Sequence, residues 1–446
     1  MKKLLSVFLL LALTLTACKS PIPATTQATT KPSEAPETQP ATVQGCGSGE
    51  VRILSAADGG YYYTSFTDGE VNRTDEMGRI LIYAIDEATG TARPACNLLG
   101  CTHDSDDCPA HITGTATCYA DGGEIYLYIC QYKEAEDTTV FRLEKISADH
   151  TQRICLADDL PFGWVQPTGM AADDSHLYFL TTDNYSDTTM SAMLLAISKE
   201  TGDRQTLYQM DSLENGRGST GQVTFVNLAG AHGRQLYFSR SESAPASTAS
   251  AEQLWCYDLA SNQCTQTPYC DTDEDSSALS YYTLTGYGGS FSSGIAVCNK
   301  QAGTASVLDA ATGECTLLAE NLPTALSGHR SYYSIFRYTD GWLLLADEFC
   351  DDKTISTQYF CDGRNLQAVI PQQRYVEGRG VQGISIKDIQ NGRVLAAYDA
   401  QQSTIQGLDK SGTAYRGITS WDVYGVMDLA ALLNGSSDFT PLQFTF

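Results

Sequence analysis

Apolar and aromatic residues occur along most of the chain in short alternating runs, and turns rich in Asp and Gly separate these runs. One phrase recurs: a small turn, a strand with an aromatic or aliphatic pair, a polar loop, a second strand, a turn and a third strand. The matching positions in successive copies are Tyr62, Tyr126, Tyr178, Tyr237, Leu343 and Leu395. The steps between them are 64, 52, 59, 106 and 52 residues, and 106 is two periods. We therefore expect a degenerate fifth copy in the wide gap, where Ala305 to Gly313 supplies its second half.

This repeat of short strands and tight turns is typical of a β-propeller, in which each repeat is one four-stranded blade. A lone four-stranded sheet cannot bury both of its faces, whereas blades stacked around an axis can. We predict an all-β fold with seven blades, and the alternatives are six or eight. An array of β-sandwiches would use similar strands but would not need the same phrase seven times.

The two ends of the folded part add details to this prediction. Helical patterning is confined to one short segment near the C-terminus, Val426 to Leu433. Near the other end, Val51 to Leu54 reads as a strand. We expect this strand to join the last blade and thereby to close the ring.

The first 17 residues have the features of a signal peptide. Lys2 and Lys3 form a basic start, an apolar run follows from Leu4 to Leu13, and small residues precede Cys18. The run is shorter than the roughly 20 apolar residues that span a bilayer. The sequence Leu15-Thr16-Ala17-Cys18 resembles the lipobox of bacterial lipoproteins, in which the cysteine is lipidated and becomes the first residue of the mature chain. The alternative is a soluble secreted protein that is cut near Ala17.

Residues 18–49 are rich in Pro, Thr, Ala, Gln and Ser and contain almost no apolar side chain to bury, so we expect a disordered tether. Residues 50–446 then form the propeller domain. With its repeated Asp-Gly, Leu-Tyr and Thr-Gly phrases, the chain resembles bacterial lipoproteins whose extracytoplasmic part is a TolB-like propeller of uncharacterised function. The resemblance covers most of residues 50–416 and implies a fold. It transfers no catalytic residue. The lipobox at Cys18 predicts a location on the outer side of the cell membrane.

Charge limits the range of partners. The chain has 28 Lys and Arg against 53 Asp and Glu, and its formal net charge is -25. Such a negative field repels nucleic acid and anionic lipid headgroups, so we expect the lipid to be the only link to the membrane. The remaining candidates are an unknown protein or a glycan ligand.

Common catalytic motifs are missing from the sequence. It contains no Gly-x-Ser-x-Gly, no His-Glu-x-x-His and no phosphate loop, and both Gly-x-Gly-x-x-Gly spellings precede strand-like sequence instead of a helix. We therefore favour a binding or scaffold module over an enzyme. The alternative is a hydrolase or lyase acting on polysaccharide, with carboxylates from several blades around the central channel. At the top of this channel, three or more converging carboxylates in a deep cleft would favour the enzyme, and a shallow or side-chain-filled channel would favour binding.

Fifteen cysteines occur in the chain, and disulfides are permitted outside the cytosol. Two pairs are candidates because each lies on either side of a turn. Cys256 and Cys264 flank the turn at Ala260, and Cys350 and Cys361 flank an expected hairpin loop. The second pair is the better candidate.

The densest group of reactive side chains lies between the first and second repeats. It comprises Cys96, Cys101, His103, Cys108 and His111, which fall within sixteen residues. The simplest interpretation is a disulfide that joins Cys96 or Cys101 to Cys108, and unpaired thiols are a second. A structural zinc on the three thiols and His103, with His111 as a substitute, is the third. The sequence suggests no other cofactor.

Overall fold

Seven β-sheets arranged as the blades of a propeller account for almost all regular structure in the described residues, which confirms the predicted fold and blade number. The computed structural model describes residues 49–56, 61–66, 80–133, 138–160, 169–183, 188–215, 223–243, 252–267, 279–282, 294–299, 302–322, 330–338, 340–349, 354–362, 365–370, 372–376, 380–408 and 414–445.

The strands of the first half are β1 (Arg52–Leu54), β2 (Tyr61–Phe66), β3 (Ile80–Asp86), β4 (Thr91–Pro94), β5 (His111–Ile112), β6 (Thr115–Asp121), β7 (Glu124–Lys133), β8 (Thr138–Ile146), β9 (Arg153–Ala157), β10 (Met170–Ala172), β11 (His176–Asp183), β12 (Thr189–Ser198) and β13 (Arg204–Glu214). Those of the middle are β14 (Val223–His232), β15 (Gln235–Ser243), β16 (Glu252–Asp258), β17 (Gln263–Gln266), β18 (Leu279–Tyr282), β19 (Gly294–Asn299), β20 (Thr304–Asp309) and β21 (Cys315–Ala319). The last part contains β22 (Arg330–Tyr338), β23 (Gly341–Phe349), β24 (Thr354–Cys361), β25 (Leu366–Val369), β26 (Gln373–Val376), β27 (Gly380–Gly383), β28 (Ser385–Gln390), β29 (Arg393–Leu408), β30 (Ala414–Asp428), helix α1 (Leu429–Leu433), β31 (Thr440–Pro441) and β32 (Gln443–Phe444).

Blades 2, 4, 5, 6 and 7 are antiparallel meanders of four consecutive strands, namely β6–β9, β14–β17, β18–β21, β22–β25 and β28–β31. Blade 3 contains β10–β13, and β1 pairs with the free edge of β10. Blade 1 contains β2, β3, β4 and β32, with β5 paired to β3. The hairpin of β26 and β27 is a separate small sheet.

Stacking of the blades explains why the middle strands are apolar on both faces. In β12, eight consecutive residues from Met190 to Ile197 are buried, although a sheet with one face in water would alternate. Three of the predicted repeat positions, Tyr126, Tyr178 and Tyr237, are at most 1% exposed and lie in the second strands of blades 2, 3 and 4. The repeated tyrosine therefore marks the core between neighbouring blades.

Ring closure differs from the prediction. The segment Val51 to Leu54 does not join the last blade, because β1 pairs with β10 of blade 3, where Arg52 lies opposite Ala172. The C-terminal strand closes the ring instead: β32 pairs in parallel with β4 and places Phe444 opposite Ala92. First strands of neighbouring blades contact one another, as β2 and β6 do, so β1 lies on the channel side of blade 3.

The helix near the C-terminus is present but shorter than predicted. Val426 to Asp428 continue β30, where Met427 lies opposite Val394, and α1 begins only at Leu429. Strand pairing with β29 overrides the local helical pattern at these three residues. Among the helices of the described part of the chain, none is both long and apolar enough to cross a bilayer.

Candidate functional site

Charged side chains link neighbouring blades at one face of the ring. Asp121 and Asp173 hold the same place in successive repeats, five residues before Tyr126 and Tyr178. The turn between the last two strands of blade 3 carries Lys199, whose Nζ donates to Asp121 Oδ2 of blade 2 at 2.6 Å. The repeat therefore positions an acid on one blade against a base on the next.

Blades 3 and 4 are joined in the same way through a more deeply buried carboxylate. Asp173 is fully buried, and its Oδ2 accepts from Arg234 Nη1 of blade 4 at 3.1 Å and from the Tyr178 hydroxyl at 2.6 Å. Its Oδ1 accepts from the backbone N–H groups of Ser175 at 2.8 Å and His176 at 2.7 Å. Burial alone would raise the pKa of Asp173, but these donors hold it below its usual value.

A cavity of about 500 Å³ opens between blades 2 and 3 at this face. We name it the inter-blade cavity; its lining residues are Arg52, Asp121, Gly122, Glu124, Lys145, Asp174, Ser175, Ser198, Lys199 and Glu200. Lys145 Nζ lies 3.0 Å from Glu124 Oε1, and Asp121 contacts both Arg52 and Lys199. The lining thus carries charges of both signs, and two of its acids, Asp121 and Glu124, are paired with bases.

The N-terminal segment runs beside this cavity and across the channel side of four blades. The Val51 N–H donates to Gly233 O of blade 4 at 2.7 Å, and β1 then pairs with blade 3. Ser55 O accepts from the Ala120 N–H of blade 2 at 2.7 Å, and Ala56 O accepts from blade 1. Val51 and Leu54 are fully buried because they belong to the apolar cores between blades 3 and 4 and between blades 2 and 3, respectively.

A second buried acidic site lies where blade 7 meets blade 1. Asp388 on β28 is fully buried beside Glu87, which lies in the turn after β3. Asp388 Oδ2 and both carboxylate oxygens of Glu87 have no donor at hydrogen-bonding geometry among the described residues, although Gln390 and Arg393 lie close enough to favour the ionised form of Glu87. A proton shared between the two carboxyl groups would supply a donor. Burial and the neighbouring Glu87 raise the pKa of Asp388 to about 10. Burial also raises the pKa of Glu87.

The cysteine-rich segment forms a compact cluster at the outer part of blade 1. One ligand atom from each of Cys96, Cys101, His103 and Cys108 lies within 4.8 Å of all the others. We name this set the Cys3His cluster. None of its three cysteines is in a disulfide, and His103 Nδ1 is 3.3 Å from Cys108 Sγ. His111 lies outside the set, with its Nδ1 3.2 Å from Asp106 Oδ1.

Burial keeps the thiols of Cys96 and Cys108 protonated in the absence of a cation. It raises the pKa of Cys108 to about 12 and raises that of Cys96. Burial lowers the pKa of His103, so its imidazole is neutral at physiological pH. A neutral imidazole is the form that binds metals.

The two cysteine pairs predicted around turns have different outcomes. The structure does not join Cys256 to Cys264, because β16 and β17 pair Cys256 with Thr265 and Cys264 with Tyr257. Adjacent positions on a strand point to opposite faces, which separates the two sulfur atoms. Cys361 is buried opposite Trp342, at the end of β24 farthest from Phe349. Cys350 and the lipidation residue Cys18 lie outside the described residues, and their roles stay predictions.

Sequence reasoning missed the inter-blade cavity. Its residues come from turns of two repeats and from β1, so they are far apart along the chain. One signal was available: Asp121 and Asp173 are equivalent in the repeat. The bases that meet them, Lys199 and Arg234, each lie in a turn of the following blade.

No protein-family model matches the chain, and no curated protein matches it. Among solved structures, it is similar to dipeptidyl peptidase 4 from Porphyromonas gingivalis at 9% identity and a TM-score of 0.40, over 89% of this chain and 59% of that one. It is also similar to a polysaccharide lyase of family PL25, an ulvan lyase, at 10% identity and a TM-score of 0.39, over 87% and 98% of the two chains. The β-propeller domain of the Trilobed protease from Pyrococcus furiosus is similar at 11% identity and a TM-score of 0.34, over 74% and 97%. Likenesses this distant carry no argument about activity or ligand.

Proposed function

We propose that the chain is an extracytoplasmic lipoprotein, anchored to the cell membrane through Cys18, whose propeller binds a protein or glycan ligand. The observation that carries the binding role is the inter-blade cavity, an opening of about 500 Å³ that presents charges of both signs. Ligand sites combine a concave shape with a few convergent polar groups, and this cavity has both. A glycan hydroxyl can donate to its carboxylates, and an acidic group of a protein can pair with Arg52 or Lys145.

The pairing of Asp121 favours binding over polysaccharide cleavage. Glycosidases of most families need two carboxyl groups on either side of the scissile bond, one of which acts as an acid. Asp121, which lines the inter-blade cavity, is instead paired with two bases, Arg52 and Lys199. A carboxylate held in this way is a poor candidate for a catalytic acid.

The predicted tether is long enough to hold the propeller away from the membrane. It contains 32 residues from Cys18 to Gly49, and a flexible chain of that length would have an end-to-end distance of about 30 Å. Gly49 reaches the ring at the face of the inter-blade cavity, where its carbonyl accepts from Arg234 Nη1 at 3.2 Å. Clearance of this size would let a ligand reach the cavity between the membrane and the propeller.

A bulky residue at the mouth of the cavity tests the binding role. Glu200 is exposed and lines the cavity, so Glu200→Trp should obstruct it without removing one of the ion pairs described above. We expect ligands found on a glycan array or among envelope proteins to bind this variant at least about tenfold more weakly, a loss of roughly 1.4 kcal/mol. The matched control is Asp203→Trp, because Asp203 is exposed in the same turn but does not line the cavity. Equal binding by both variants would argue against the cavity, and cleaved glycan products would favour the enzyme.

The lipid anchor has a separate test. Cys18→Ala should release the protein into the medium or leave it as an uncleaved precursor, because lipidation needs the thiol of that residue. Immunoblotting of membranes washed without detergent measures the retained fraction. Cys46→Ala is the matched control, since it makes the same change within the tether and should leave retention unchanged. Full retention of the Cys18→Ala variant would contradict the anchor.

A further inference from the structure

We infer that the Cys3His cluster is a zinc site, in which Cys96, Cys101, Cys108 and His103 bind one Zn²⁺ with tetrahedral geometry. Zinc takes thiolate sulfur at about 2.3 Å and imidazole nitrogen at about 2.0 Å, which places neighbouring ligand atoms roughly 3.4 to 3.8 Å apart. In the structure these atoms lie within 4.8 Å of one another, and the His103 to Cys108 contact is already 3.3 Å. A shift of about 1 Å or less would complete the tetrahedron.

Tight turns of the backbone bring the four ligand residues close together. Cys101 N–H donates to Leu98 O and Cys108 N–H donates to Ser105 O, so each of these cysteines ends a tight turn. His103 itself has a φ of +56°, a conformation that non-glycine residues adopt uncommonly. This conformation accompanies the placement of its imidazole beside Cys108.

A disulfide accounts for fewer of these features. It would use two of the three sulfur atoms and would leave the third sulfur and the imidazole beside it without a role. Convergence of three sulfur atoms and one nitrogen is instead the donor set of a closed structural zinc site. The set draws on His103 and excludes His111, although both imidazoles were available in the sequence.

The position of the cluster indicates what the metal would do. The segment leaves blade 1 after β4 and returns as β5, where Ile112 pairs with Ile80 of β3. It also reaches blade 2, because the Asn97 N–H donates to His150 O at 2.9 Å. A zinc ion would therefore fix a connection between two blades beside β4, the strand that β32 joins to close the ring.

Metal binding by the full chain, purified under reducing conditions, tests the inference. We expect one equivalent of zinc per chain, and Co²⁺ in its place should give the intense visible absorption of tetrahedral thiolate coordination. His103→Asn should weaken Zn²⁺ binding by at least about tenfold, as expected when a ligand is lost. His111→Asn is the matched control and should change it less than about twofold, because His111 lies outside the cluster. Circular dichroism establishes that each variant is folded.

Two cysteine variants, one inside the cluster and one outside it, give a second comparison. Cys101→Ser should abolish the Co²⁺ spectrum, whereas Cys155→Ser should leave it unchanged, because Cys155 is an exposed thiol on β9. Less than half an equivalent of zinc in reduced wild-type protein would overturn the inference. So would peptide mapping that finds a disulfide among Cys96, Cys101 and Cys108 in protein from its native envelope. Loss of zinc from His111→Asn with retention in His103→Asn would overturn the assignment of the nitrogen ligand.

Discussion

Replacing Asp173 with alanine should lower the free energy of unfolding by about 3 to 5 kcal/mol, because it breaks a buried ion pair and leaves several donors unsatisfied. The carboxylate is fully buried and accepts from Arg234, from the Tyr178 hydroxyl and from two backbone N–H groups. Without it, the Arg234 guanidinium would lose its carboxylate partner at the boundary of blades 3 and 4. Urea denaturation at pH 7 measures the change.

Asp174→Ala is the matched control for this variant. Asp174 follows Asp173 directly but is exposed, and it accepts one long contact, from the Gly49 N–H at 3.4 Å. We expect a loss below about 0.5 kcal/mol for this surface change. If both variants lower the free energy of unfolding by the same amount, the ion pair between Asp173 and Arg234 adds nothing to stability beyond a surface aspartate.

Acid should remove the difference between the Asp173→Ala variant and the wild type. The folded-state pKa of Asp173 is lowered, so its ionised form stabilises the fold above the unfolded pKa of about 3.9. This contribution is lost as the pH falls through the folded pKa, which lies below that value. Denaturation at a series of pH values below about 4 should therefore show the two proteins converging.

The repeat made the fold predictable, because each blade depends on contacts that are local in sequence. A strand, a short turn and the next strand leave a periodic trace, and Tyr126, Tyr178 and Tyr237 mark it at fully buried positions. Closure of the ring leaves no such trace. It uses β32, a strand of two residues, which pairs with β4 some 350 residues earlier in the chain. Strands this short have no hydrophobic period that could specify their partner.

The candidate sites, too, could be predicted only where their residues are close together in the sequence. The Cys3His cluster was visible because its residues fall between positions 96 and 108, where tight turns bring them together. The structure does not join Cys256 to Cys264, because the two are offset by a single position of register and a shift of one residue sends a side chain to the opposite face. The inter-blade cavity depends on how successive blades stack, which the sequence of either blade alone does not contain.

Asp388→Asn should have the opposite effect from Asp173→Ala and stabilise the protein by about 2 to 4 kcal/mol at pH 8. Both aspartates are fully buried where blades meet, but Asp388 faces another carboxyl group, that of Glu87, instead of a base. Its folded-state pKa is raised to about 10, so the folded protein holds a proton that the unfolded chain releases above about pH 4. Stability is therefore fully present below the unfolded pKa and falls as the pH rises toward the folded value, by up to about 1.4 kcal/mol per pH unit.

An asparagine removes this penalty while keeping the contact, because its Nδ2 can donate to Glu87 as the shared proton would. Thermal or urea unfolding of both proteins from pH 4 to pH 9 should show curves that nearly coincide at acid pH and separate as the pH rises. Asp258→Asn is the control of opposite sign. Burial would raise the pKa of Asp258, but N–H groups of Ser261 and Ala260 hold it below its usual value, so this variant should be slightly less stable than wild type near neutral pH. Two results together would show that Asp388 and Glu87 do not share a proton. One is a wild-type stability that does not fall between pH 5 and pH 9, and the other is an Asp388→Asn variant that is no more stable than wild type at pH 8.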